Sequence, residues 1–206
     1  MGAPNNIEFQ MKVLLGALNL LEEKEGPILI DFGEEDPTVE GTITNLVCPV
    51  NFAQKDENLS DTEKLINTVK SEMNSLRPWY DEAIKKRGRT TVGISGIELD
   101  GLVDFISAFF DGGLPENPKE DIALPLVLNF ATDDLKAFYF EAITIQPGQE
   151  SPSGQVLEDW FWGETKAGKM FLKLKESLKG SEDGLIQAVA RIMIVPSSQA
   201  YRKKEL

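Results

Sequence analysis

Residues 124–146, LPLVLNFATDDLKAFYFEAITIQ, form the stretch that leaves this chain the fewest choices. On a helix advancing about 100° per residue, the apolar side chains cover roughly 200° of the circumference. Val127, Leu128, Phe130, Ala131, Leu135, Ala137, Phe138, Tyr139, Ala142 and Ile145 fall inside that arc. A surface helix needs only an apolar stripe. An arc this wide must be covered by several neighbours, which predicts a central helix in an all-α packing. Pro125 suits a first turn, where its missing N–H would have no intrahelical partner. Pro147 and Gly148 supply a stop. Asn129, Thr132, Asp133 and Lys136 lie opposite and read as the solvated side. Phe140 and Ile143 share it, so only its first half is expected to be wet.

Asp134 and Glu141 break the apolar arc. They are seven residues apart, on nearly one line and about 10 Å apart along the axis. Carboxylates among Val127, Phe130, Phe138 and Ile145 require water, a cation or hydrogen-bond donors. They mark either a seam between packed neighbours or a polar pocket. An arginine is the natural partner, because its planar fork can serve a carboxylate bidentately and stays charged when desolvated. Arg89 is the first candidate, since it follows a helix end and precedes a glycine-containing loop. Arg191, set among apolar positions, is the second.

Composition removes whole classes of chemistry. The 206 residues contain no histidine and one cysteine, Cys48. A Ser-His-Asp triad, a papain-like site and a His-ligated metal are therefore excluded. No cofactor is expected, and any metal would have to be a hard, oxygen-ligated ion such as Mg²⁺ or Ca²⁺. A single cysteine allows no internal disulfide, which fits a cytoplasmic protein and a buried thiol. The formal net charge of −13 opposes binding to nucleic acid and to anionic membranes. No apolar run is long enough to span a bilayer. Val13 to Leu21 has the length of a signal-peptide core, but Glu22, Glu23, Lys24 and Glu25 follow it, so it reads as a mature helix.

Around the central stretch the chain reads as further helices. Asn6 can cap a first one running to about Glu25. Ile7, Met11, Leu14, Leu18 and Leu21 recur at spacings of four and three, and Leu15 and Leu20 widen the seam. That seam serves either the core or a dimer contact. Residues 28–47 are the least helical region: ILIDF and the β-branched TVEGTITNLV suit a small β-hairpin or extended coil. Ser60 and Glu63 form a capping box. The helix they start carries Pro78, which predicts a kink near residues 74–76 or two helices in tandem. It ends in Lys85, Lys86, Arg87, Gly88 and Arg89. Ser95 and Glu98 form a second capping box, for a helix to about Asp111. A short helix then carries Leu157, Trp160 and Phe161; one follows over about 167–178, and a last one opens at Ser181 and stops at Pro196. Residues 197–206 read as a polar, mobile tail.

Three clusters could carry function. Asp159, Trp160, Phe161, Trp162, Gly163 and Glu164 concentrate two of the three tryptophans. With one indole inward and one toward the rim, they either seal the end of the bundle or form an aromatic wall with Glu164 or Asp159 as polar anchor. The basic run 85–89 compensates a helix dipole, or folds under the loop to reach Asp134 or Glu141. Alternatively, Arg89 with the Thr90 and Thr91 hydroxyls and the following helix start makes an anion site. The loop TTVGISG has no Walker or dinucleotide pattern. Asp133 and Asp134 lack the third acid of a DDxxD motif.

The expected architecture is mainly α: a single-domain helical bundle of about six or seven helices over residues 1–196, with a tail after it. No nucleophile–base pair, cofactor fingerprint or metal motif is present. The reading is a non-catalytic protein-interaction or scaffold protein that pairs with a protein partner or itself, as a homodimer. The alternatives are a small-molecule or anion-binding module, or a carboxylate-based enzyme with Mg²⁺ as its option. Both would use a pocket around Asp134 and Glu141, with Arg89, Trp160, Trp162 and Glu164 as the other candidate site residues.

Overall fold

A computed structural model describes residues 7–34, 59–146, 152 and 154–205. The fold is mainly α-helical, with seven α-helices and no strand among the described residues. They are α1 (Ile7–Asn19), α2 (Asp61–Arg87), α3 (Leu102–Ser107), α4 (Leu124–Ile143), α5 (Gly154–Glu164), α6 (Lys166–Leu178) and α7 (Gly184–Ile192). Short 3-10 turns flank several of them. No helix of the described residues is long and apolar enough to cross a membrane.

Helix α4 lies at the centre, packed against α2, α3, α5 and α7. Its wide arc is buried, including Val127, Leu128, Leu135, Phe138 and Tyr139. Coverage extends further than the wheel predicts. Thr132 is fully buried, with its hydroxyl on the Asn129 carbonyl at 2.8 Å, and Asn129 and Ile143 are buried too. The expected wet side is thus reduced to Asp133 and Lys136, which pair at 2.8 Å.

Local signals set the ends of α2. Ser60 Oγ accepts from the Glu63 N–H at 3.2 Å, and the Glu63 carboxylate accepts from the Ser60 N–H at 2.8 Å, completing the capping box. These bonds from Ser60 hold the Glu63 carboxyl below its ordinary range. Gly88, at φ 69°, closes the helix, donating to the Ile84 carbonyl. Between these ends α2 is one helix through Pro78, so the tandem alternative does not hold. The packing of its apolar face on α4 and α6 offsets the one backbone bond that proline removes.

Three local readings meet the structure differently. The second capping box does not form: Glu98 caps a 3-10 turn without a side-chain bond, because Ser95 is engaged elsewhere. Residues 28–34 carry no strand, and the rest of the proposed hairpin, like Cys48, lies outside the described residues. The segment after Pro196 makes contacts with the helices. Residues Ser197–Glu205 form a 3-10 run. Gln199 is buried, and Arg202 reaches back to Asp159 at 3.1 Å.

Helix α1 departs most from a core reading. Of its residues only Phe9 is buried, against Phe32 in edge-to-face contact at 6.0 Å. Phe32 also lies on Gly16, where a Cβ would come within 3.0 Å of the ring. The seam residues Ile7, Met11, Leu14, Leu18 and Leu21 are all exposed, with Leu14 at 46%.

Candidate functional site

Asp134 and Glu141 of α4 point at one segment, residues 90–95. Asp134, fully buried, accepts from the N–H groups of Gly93 (2.7 Å) and Ile94 (3.0 Å) on one oxygen. Its other oxygen accepts from the Ser95 N–H (2.9 Å) and hydroxyl (2.5 Å). Glu141 accepts from the Thr91 N–H (2.8 Å), the Thr91 hydroxyl (2.7 Å) and the Thr90 hydroxyl (2.9 Å). The loop therefore runs antiparallel to α4, strapped at two points. Thr90 has one proton and gives it to Glu141, so the Tyr80 hydroxyl 3.0 Å away is the donor to Thr90. Burial, the largest influence, raises the Tyr80 pKa above its ordinary value.

Three successive N–H groups converging on one anion make a nest of the kind that binds phosphate. Gly93 makes it possible: at φ 122° it turns the backbone as a side-chain-bearing residue rarely can. Here the occupant is the protein's own carboxylate. The Thr90 and Thr91 donors of the anion site considered with Arg89 are thus taken by the protein's own Glu141, without Arg89. The place reserved for an arginine is filled as well, since seven donors from the loop serve Asp134 and Glu141. Arg89 and Arg191 are exposed.

Arg89, Glu141 and Trp162 do meet, around a groove of about 810 Å³. Its apolar surface comes from Ala137 and Phe140 of α4, Leu157 and Trp162 of α5, and Pro152 and Pro196. Arg87, Arg89, Thr91, Asp133, Lys136, Thr144 and Glu158 supply its polar groups. Arg87 donates to the Thr144 hydroxyl at 2.8 Å. Asp134, Trp160 and Glu164 are not among its lining residues. Trp160 and Trp162 are both buried, so neither indole is exposed at a rim. Trp162 packs on Phe161 with ring centroids 5.1 Å apart, and Trp160 on Tyr139 at 6.2 Å. Trp160 Nε1 is buried with no hydrogen-bond partner among the described residues. Glu164 is exposed at the end of α5.

A third buried carboxylate, Glu72 of α2, has no place in the sequence reading. It accepts from the Tyr139 hydroxyl at 2.9 Å and from the Lys166 N–H at 2.9 Å, at the N-terminus of α6. A negative charge there favours the helix dipole, which α6 lacks from any acid of its own first turn. Burial is the largest influence on Glu72 and raises its pKa, against the lowering by its hydrogen bonds. Tyr139, buried beside it, is held protonated by the same burial and by the Glu72 charge. The signal was available: Glu72 falls on the α2 face that carries Val69, Met73 and Leu76.

Among the described residues, no group of three or more acidic or sulfur-bearing side chains is arranged to hold a metal ion. The chain matches no family model, no curated protein and no solved structure.

Proposed function

We propose that the protein is a non-catalytic interaction protein that pairs with a second copy of itself through α1. The observation that carries this reading is the exposed seam Ile7, Met11, Leu14, Leu18 and Leu21. Spacings of four and three are those of a helix that packs along another helix. Contiguous apolar surface of this kind is uncommon on monomers and marks interaction sites. A stable pair buries about 1,000 Å² or more.

Charge favours a copy of α1 as the occupant. The whole chain, at −13, repels itself. Helix α1 carries one acid and one base, Glu8 and Lys12, which pair at 3.8 Å. Its formal charge is zero, so two copies meet with little local repulsion. Asp134 and Glu141 argue against an enzyme built on them, because the loop engages both oxygens of each.

Sedimentation of the full chain tests the reading. The expected result is a two-chain species that dissociates on dilution. Leu14→Glu with Leu18→Glu should give a single-chain species of unchanged helicity. A single-chain species for the unaltered protein at its highest soluble concentration contradicts the proposal, as does a double variant that still pairs.

A further inference from the structure

We propose that the groove between the end of α2, the second half of α4 and α5 binds a small amphipathic anion, with an oxyanion head held by Arg87 and Arg89 and an apolar body on Ala137, Phe140 and Leu157. Of the groove's three carboxylates, Glu141 is engaged by the Thr90 and Thr91 donors. Asp133 is engaged by Lys136 at 2.8 Å and by the Asn129 amide at 3.1 Å. Lys136 is thereby neutralised. Arg87 uses one N–H on the Thr144 hydroxyl, and neither it nor Arg89 has a carboxylate within salt-bridge distance among the described residues.

Two guanidinium groups without acid partners are out of place in a chain with 34 acidic residues and 21 basic ones. They lie two residues apart, at the end of α2 and just beyond its Gly88 cap. A guanidinium presents a planar fork that matches the oxygens of a carboxylate or phosphate. The rest of the groove suits a body rather than a second charge, because its inner surface is aromatic and aliphatic. Its volume of about 810 Å³ is that of a small-molecule site. Glu158, the one groove carboxylate not engaged as Asp133 and Glu141 are, enters from α5. Its charge disfavours a second anionic group in the groove and so favours a ligand with a single anionic head.

The test uses the full chain and the dye 8-anilinonaphthalene-1-sulfonate, an oxyanion on an aromatic body. Its neutral relative N-phenyl-1-naphthylamine serves as control. Both are titrated by fluorescence in the Leu14→Glu, Leu18→Glu background, so that dye on the α1 seam is removed and pairing through α1 plays no part. The anionic dye should bind there. Arg87→Ala with Arg89→Ala should weaken it about tenfold or more, the loss expected for charge-assisted bonds, and leave the neutral dye unchanged. Arg89→Ala alone, at an exposed residue, should weaken it in the same direction without disturbing the fold. Glu158→Gln should tighten it. Displacement by phenyl phosphate or by benzoate identifies the head group, and displacement by neither overturns the proposal. Equal binding of the anionic dye with and without the two arginines overturns it as well.

Discussion

Asp134→Ala is expected to destabilise the protein by about 3 kcal/mol or more, although among the described residues no charged side chain pairs with the carboxylate. The side chain is fully buried and receives four hydrogen bonds from three residues. A bond to a charged acceptor contributes about 1.5–3 kcal/mol, and a buried donor left alone costs about 1–3 kcal/mol. The sum is not realised, because Gly93 and Ile94 are exposed residues whose N–H groups can turn to water. Ser95 is buried and has no such recourse. Asp134→Asn keeps the volume but points an NH₂ group at N–H donors, so it should lose nearly as much. Urea unfolding measures both, as a lower midpoint at unchanged slope. A loss within about 0.5 kcal/mol, the size of a surface effect, contradicts the strap.

Glu72→Ala is expected to lose about 2–4 kcal/mol, since it leaves the buried Tyr139 hydroxyl and the Lys166 N–H without their acceptor. Glu72→Gln keeps an acceptor oxygen and should lose less. The pair also separates by pH. Burial raises the Glu72 carboxyl above its ordinary 4.5, so the folded chain keeps that proton to higher pH than the unfolded chain does. Its contribution is fully present below 4.5 and is lost as pH rises through the folded value. The stability of the wild type relative to Glu72→Gln should therefore fall as pH rises from below 4.5 toward neutrality. A difference that rises or stays flat contradicts the assignment.

What the sequence made legible was local. The arc of residues 124–146 pointed to a central helix, and the Ser60 box and Gly88 marked the two ends of α2. Those signals operate within one turn of chain. The need of Asp134 and Glu141 for partners was legible too, but not the partners, because most of the donors are backbone N–H groups that every residue carries. An arginine is the partner that side chains alone would supply there. Ser95 shows the same limit: a capping box needs a free hydroxyl, and a residue 39 positions away takes it. The seam of α1 has a spacing that fits a core or a surface equally well, and only its exposure distinguishes them. The polar composition of the last residues hid contacts made by Gln199 and Arg202 with Asp159, in another helix.

Amide hydrogen exchange tests the strap most directly, because it reads the N–H groups themselves. The amides of Thr91, Gly93, Ile94 and Ser95 should exchange as slowly as those of α4, although the loop runs along the surface. In Asp134→Asn, those of Gly93, Ile94 and Ser95 should become fast while Thr91, held by Glu141, stays slow. Loop amides that exchange in the wild type as freely as those of an open coil would contradict the account.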